Sequence, residues 1–132
     1  MAHACRCKLG EPTVFIIDDD EACRDSVCEM VHSVGLAAIG FASGLEFLLT
    51  FDPAWRGCLV LDLLMPGMNG LNLQKRLNEM RVNLPIVFIS GSADIPAAVQ
   101  AIRAGAVDFL QKPYGQQHLL DAIHRALERG SA

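Results

Sequence analysis

Several things are missing from this sequence, and each absence removes a class of protein. No apolar run approaches the roughly 18 residues that a membrane span needs, and no secretory h-region is visible, so the chain reads as cytoplasmic and free of the membrane. Basic residues are not in excess: the net charge is -4, whereas nucleic-acid binders usually show a basic face, so direct nucleic-acid binding by this stretch is not expected. A disulfide framework is missing too. The five cysteines, Cys5, Cys7, Cys23, Cys28 and Cys58, are odd in number and scattered, which fits a reducing compartment. Cys5 and Cys7 with His3 could form a metal clip, but no second pair has ligand spacing, and a frayed arm over residues 1–12 is the preferred reading. Cys23 and Cys58 fall on apolar faces and read as small core residues. There is no internal repeat and no sign of a second domain.

What remains is a 132-residue chain that is 52% hydrophobic and 20% charged, a globular composition long enough to bury its own core as one domain. Its most informative stretch is CLVLDLLMPGMNG, residues 58–70. A short apolar run closes on a carboxylate, Asp62, and then on turn residues, the pattern of a buried strand in a parallel sheet. Open α/β sheets bind their ligands at the carboxyl ends of such strands, which makes Asp62 the candidate reactive group.

The rest of the chain repeats this device. TVFII, residues 13–17, is a β-rich run ending on Asp18, Asp19 and Asp20, of which Asp20 is placed to cap the following helix. That helix carries an apolar stripe of Cys23, Val27, Met30, Val31 and Val34 and stops at Gly35. LAAIGF, residues 36–41, is a weaker strand, and Ser43 with Glu46 matches a capping box for a short helix through Leu49. Pro53 and Gly57 bracket a loop before the central strand. Asn69 can cap a helix that turns Leu73, Leu77 and Met80 inward. PIVFIS, residues 85–90, ends on the Ser90 hydroxyl, followed by Gly91. Asp94 caps the next helix, with Ile95, Val99 and Ile102 as its stripe and Gly105 as its stop. AVDFLQ, residues 106–111, leads into Lys112-Pro113, and a last helix places Leu119, Ile123, Ala126 and Leu127 on one face. Five strands alternating with five helices make an α/β domain over residues 13–129, with a parallel sheet covered on both faces and a loose polar tail at 130–132.

A parallel sheet presents every carboxyl end at one edge, so Asp18, Asp19, Asp62, Ser90 and Lys112 can meet there. Each alone has a plain explanation as a cap, a turn or a loop residue. Together they suit one reaction. Clustered carboxylates need a cation, and Mg²⁺ or Mn²⁺ fits a site of few carboxylates and several waters. Asp19 and Asp62 would bind it directly, Asp18 through a water, and the backbone carbonyl of Leu64 could complete the set. Lys112 and Ser90 would stabilise the equatorial oxygens of a phosphoryl group in flight, and Asp62 would be the nucleophile, giving an aspartyl phosphate.

At this point the sequence resembles a response-regulator receiver domain of two-component signalling. The matching stretches are VFIIDDDE, LVLDLLMPGMNG and IVFISGSADIPAAVQAIRAGAVDFLQKPY, covering about residues 13–129, and the segment from Ala93 to Pro113 is similar to receivers of the FixJ type, which usually precede a DNA-binding domain. The resemblance implies a doubly wound, five-stranded parallel sheet of order 2-1-3-4-5 flanked by five helices. It implies a sensor histidine kinase as phosphoryl donor to Asp62, a C-terminal or separate DNA-binding output domain, and self-catalysed phosphoryl transfer rather than turnover of outside substrates. Position by position it makes Asp18 and Asp19 the metal-binding acid pair, Ser90 the switch hydroxyl, Phe109 the switch aromatic and Lys112 the phosphate-binding lysine. Leu64 and Ser92 fall where the family tunes phosphoryl lifetime, and the Lys112-Pro113 bond where the family is cis.

The expected output face joins the fourth helix, fifth strand and fifth helix, with a homodimer through that face. On phosphorylation Ser90 would move toward the phosphoryl oxygens and Phe109 would fill the vacated space. Strand alternation puts Val107 and Phe109 on one face and Asp108 and Leu110 on the other. His32, His118 and His124 lack paired-ligand spacing and read as surface residues. Two alternatives stand beside this reading. A constitutive interaction module would leave the full acid, hydroxyl and lysine set unused. A haloacid-dehalogenase-type phosphatase would need an acid two residues after the nucleophile, where this chain has Leu64.

Overall fold

The computed structural model describes residues 3–4, 12–92 and 94–130. The side chains of His3, Cys5 and Cys7, and the last two residues, lie outside that description. Five parallel strands form the body of the sheet: β2 (Thr13–Ile17), β3 (Ala37–Phe41), β4 (Gly57–Asp62), β5 (Ile86–Ser90) and β6 (Asp108–Gln111). Their spatial order is β3-β2-β4-β5-β6, which is 2-1-3-4-5 when the parallel strands are counted alone. A two-residue strand, β1 (His3–Ala4), adds itself antiparallel to the outer edge of β3. No alternation in so short a segment announces it.

Between the strands run α1 (Glu21–Ser33), α2 (Gly44–Thr50), α3 (Gly70–Glu79), α4 (Ile95–Arg103) and α5 (Gln116–Gly130). Each of the first four starts at the residue whose side chain suits it. Asp20 accepts from the N–H groups of Ala22 and Cys23, Ser43 from Glu46, Asn69 from Asn72 and Asp94 from Ala97. Those bonds satisfy amide donors that a helix start leaves without intrahelical partners.

Strand alternation divides the core in two. Phe15, Ile17, Phe41, Leu59, Leu61 and Phe88 face one way, together with Phe47 of α2 and Leu73 and Leu77 of α3. Val14, Ile16, Val60, Val87 and Ile89 face the other, against Val27 and Val31 of α1 and Leu119 and Ile123 of α5. Both faces of β2 and β4 are fully buried, which is why these strands read as unbroken apolar runs. No helix among the described residues is long and apolar enough to cross a membrane.

Three expected apolar stripes are corrected by the packing. Val34 and Met80 are exposed, because each lies at the end of its helix, past the sheet that covers the earlier turns. The larger correction concerns α4. Its stripe of Ile95, Val99 and Ile102 faces solvent, at 73%, 44% and 47% exposure, while Ala97 and Ala101 are buried. Periodicity marks an apolar face without saying which apolar face is covered, and the small alanines allow the helix to approach the sheet closely. Val107 is corrected too: it precedes β6 and packs with the α1/α5 cluster, whereas Phe109 packs with the other.

Candidate phosphoacceptor site

The carboxyl ends of β2, β4, β5 and β6 meet at one edge, and the anticipated side chains meet with them. Oxygens of Asp18, Asp19 and Asp62 all lie within 4.8 Å of one another. Asp18 is completely buried, Asp62 is nearly so, and Asp19 opens to solvent. Across from them stands Lys112, its Nζ 3.5 Å from Asp18 Oδ2 and 3.7 Å from Asp62 Oδ2. The ammonium thus bridges two carboxylates contributed by strands that are neighbours in the sheet. The Lys112-Pro113 peptide is cis, as the resemblance implied.

Each acid is also fixed by its own backbone. The Asp20 N–H donates to Asp18 Oδ1 at 2.9 Å, and the Leu64 N–H donates to Asp62 Oδ1 at 3.3 Å. The remaining oxygen of the buried acid, Asp18 Oδ2, makes no hydrogen bond beyond its 3.5 Å approach to the Lys112 ammonium. A buried carboxylate oxygen with no closer partner than that ammonium, beside two more carboxylates, belongs to a hard, anionic oxygen set that fits Mg²⁺ or Mn²⁺. One lysine against three acids leaves the site short of positive charge.

Charge crowding shows in the acidities. Burial, and after it the Asp18 charge, push Asp62 up from 3.8 to about 6, with Lys112 and the Leu64 amide pulling the other way. For Lys112, burial alone would lower the pKa, but Asp18 and Asp62 outweigh it and hold the ammonium above the ordinary lysine value. Asp62 is therefore largely ionised at neutral pH, and Lys112 is fully charged.

Ser90 closes the edge at the end of β5. It is completely buried, and its hydroxyl accepts from the Ser92 N–H at 3.1 Å, with the Ser92 hydroxyl 3.4 Å away. The Ser90 carbonyl accepts from the Lys112 N–H at 2.7 Å, so the serine and the lysine are joined through backbone as well as through the site. Phe109, next to that junction, is half-buried and stacks on Phe88 with ring centroids 6.0 Å apart. Its outer side lines a surface pocket of about 470 Å³ with Val99 and Ile102.

Other anticipated residues fall elsewhere. Leu64 is exposed at the mouth of the site. Cys58 is fully buried, which pushes its thiol up to about 12, in keeping with a core residue. Cys23 is only partly buried, at the margin of the α1/α5 core cluster and beside Asp18 and Lys112; burial, then a hydrogen bond with Asp18, then the Asp18 charge raise its thiol to about 11. His32, His118 and His124 are all exposed.

Two residues at the site escaped the sequence reading. Gly70, the first residue of α3, donates its N–H to the Leu63 carbonyl at 2.8 Å. A Cβ there would lie 2.7 Å from the Asp62 carbonyl and 2.9 Å from the Phe88 ring. The bare glycine lets α3 start directly beneath Asp62. Arg24 is buried on α1, with Nη1 donating to the Asp18 carbonyl at 2.8 Å. Its signal was present in the sequence: a charged residue three and four positions before Val27 and Cys28, on the face of α1 that the sheet covers.

The geometry can be set beside known proteins. A model of the response regulator receiver domain matches residues 14–124. Response regulator protein TodT of Pseudomonas putida is 46% identical over 115 residues, covering 87% of this chain and 51% of TodT. Transcriptional regulatory protein FixJ of Rhizobium meliloti is 42% identical over 121 residues, 91% of this chain and 59% of FixJ. The chain thus spans little more than half the length of these curated relatives. Among solved structures, the crystal structure of FixJ-N superimposes with a TM-score of 0.83 at 42% identity, covering 89% of this chain and 94% of that one.

Proposed function

The chain belongs to the response regulator receiver domain family, and from that premise we propose that it accepts a phosphoryl group on Asp62 from a sensor histidine kinase and uses the change to control an output, transcription in the first place. The observation that carries the reading is the Lys112 ammonium held between Asp18 and Asp62, beside a third carboxylate. A structural ion pair needs one acid. Three acids around one lysine make a site that gains by receiving further cationic charge and a phosphoryl group.

The Asp62 carboxylate, ionised at neutral pH, attacks the phosphorus in line. The bond from phosphorus to the donor imidazole breaks, and that imidazole leaves with its electron pair and takes up a proton. Lys112, turned toward the Asp62 carboxylate, neutralises charge on the transferred oxygens, and the Ser90 hydroxyl exchanges its bond with Ser92 for one to the phosphoryl group. Asp18, Asp19, Asp62 and the Leu64 carbonyl are the groups that would hold Mg²⁺. When bound, that ion supplies positive charge to the phosphoryl oxygens.

The switch follows from connectivity. Ser90 and Lys112 are one hydrogen bond apart, and Phe109 lies just before them on the neighbouring strand. Withdrawing Ser90 frees room under α4, which Phe109 turns to fill. That movement alters a face already rich in exposed apolar residues, Ile95, Val99 and Ile102, which we assign as the homodimer and output face.

Intact mass after incubation with acetyl phosphate and Mg²⁺ tests the proposal. One added phosphoryl group is expected on the wild type and none on Asp62→Asn or in the presence of a chelator. A folded, metal-binding wild type that never gains the adduct would overturn it and point to a constitutive interaction module.

A further inference from the structure

Arg24 is a buried charged side chain that stands outside the acid–lysine cluster. It is 8% exposed, on the first turn of α1, and it shares the sheet-facing side of that helix with Val27, Cys28 and Val31. Burying a guanidinium is costly unless its donors are used. Here they are used sparingly. Nη2 lies 3.9 Å from Glu21, which is itself 81% exposed, and Nε has no hydrogen-bond partner. The one short contact is Nη1 to the Asp18 carbonyl, at 2.8 Å and out of reach of water.

The chain makes room for this single bond. The Arg24 stem crosses β3 at Gly40, where a Cβ would lie 2.8 Å from Cγ and 3.0 Å from Cδ. The position it reaches is a sensitive one. Successive residues of an extended strand point to opposite faces, yet the Asp18 and Asp19 carboxylates both come within 4.8 Å of Asp62. The backbone therefore has to turn between them, and it bends at Asp19. The carbonyl of Asp18 and the N–H of Asp19 belong to one rigid peptide plane, so a bond to that oxygen fixes how the plane is turned. The Asp18 N–H is held separately by the Phe41 carbonyl, at 3.1 Å, and its carboxylate by the Asp20 N–H. Arg24 supplies the remaining constraint.

We propose that Arg24 is a positioning residue for the acid pair: by holding the Asp18 carbonyl it sets the directions of the Asp18 and Asp19 carboxylates, and with them the affinity of the site for a divalent cation. The inference rests on the reading of this site as a metal-holding one. It predicts that the clamp acts on cation binding in the absence of any phosphoryl donor.

The test is a Mn²⁺ titration of the full chain, following free Mn²⁺ by electron paramagnetic resonance. It compares wild type with Arg24→Met, which keeps the stem and loses the donors, and with Arg24→Lys, which keeps one charged donor group. Circular dichroism establishes that each is folded under the conditions used. Groups that orient metal ligands from behind are commonly worth tenfold or more in affinity, so Arg24→Met is expected to bind Mn²⁺ roughly tenfold more weakly, with Arg24→Lys recovering part of the loss. A purely structural role would lower the unfolding midpoint and leave the affinity of the folded protein alone. Equal affinity in folded Arg24→Met and wild type, within about twofold, overturns the proposal while leaving the metal reading standing. A wild type that binds no Mn²⁺ overturns that reading, and the proposal with it. Should Arg24→Met not fold, Gly40→Ala decides in its place, because it keeps the guanidinium and displaces only its stem. Weakened binding there supports the clamp, and unchanged binding overturns it.

Discussion

Gly70 stands so close to Asp62 that a methyl group on it would lie 2.7 Å from the Asp62 carbonyl oxygen. The same methyl would meet the Leu63 backbone at 3.0 Å, so the obstacle is main chain and cannot rotate away as a side-chain tip would. Alanine is the better helix former by about 1 kcal/mol in a helix interior, but this is the first helical position, where the advantage is smaller. Overpacking, at about 1–3 kcal/mol, should win. Gly70→Ala is expected to lower the urea midpoint and to slow phosphorylation of Asp62, because relief comes from moving α3 or the end of β4. A variant as stable as the wild type would show that the close approach has slack.

The acidity of Asp62 gives stability a definite dependence on pH. Burial and the Asp18 charge raise its folded pKa to about 6 from 3.8. The folded protein then binds this proton more readily than the unfolded chain does. Stability associated with the group is full below about 4 and is lost as pH rises through 6, so the cost is present at neutral pH. Without metal, Asp62→Asn should melt above wild type near neutral pH, with the gap closing toward about pH 4. Mg²⁺ should raise the wild-type midpoint more than that of the variant. Thermal scans in chelator across this range check the sign, and a gap independent of pH would contradict it.

On α4 the exposed stripe and the buried alanines should respond in opposite ways. Val99→Asp changes a solvent-facing residue, so stability should stay within about 0.5 kcal/mol of wild type. The phosphoryl adduct should form normally, and phosphorylation-dependent self-association should be lost. Phe109→Ala should likewise keep the adduct and weaken association. Sedimentation velocity with and without acetyl phosphate reads both, and self-association unchanged in the two variants would remove this face from the output.

The carboxyl end of α4 is tied down from α3. Gln74, buried, donates to the Ala101 carbonyl at 2.9 Å, and Asn78, exposed, donates to the Ala104 carbonyl at 3.0 Å. Gln74→Met fills a similar volume but removes one of the two hydrogen bonds to the buried Ala101 carbonyl, which keeps its bond from the Ala106 N–H at 3.0 Å, and should cost about 0.5–1.5 kcal/mol. Asn78→Ala frees a carbonyl that water can reach, so it should cost no more than about 1 kcal/mol. Urea unfolding of the two variants should rank them in that order.

The sequence by itself determined which polar side chains meet at the candidate site. Asp18, Asp19, Asp62, Ser90 and Lys112 were legible because apolar runs that end on polar groups mark strand ends. A parallel sheet then brings all its carboxyl ends to one edge whatever the details of packing. Helix starts were legible for a similarly local reason, since Asp20, Ser43, Asn69 and Asp94 bond to amides within three residues of themselves.

Only the tertiary structure decided what depends on a distant neighbour. The covered face of α4 was misread because its large residues are apolar, and it took the sheet beneath to select the alanines instead. Gly40 and Gly70 matter through Arg24 and the Asp62 backbone, which lie on other elements. The antiparallel pairing of His3–Ala4 depends on an edge that β3 supplies. Strand ends and caps are set by interactions a few residues long, whereas close approaches, buried charges and the choice between two apolar faces are set by whatever the fold brings alongside.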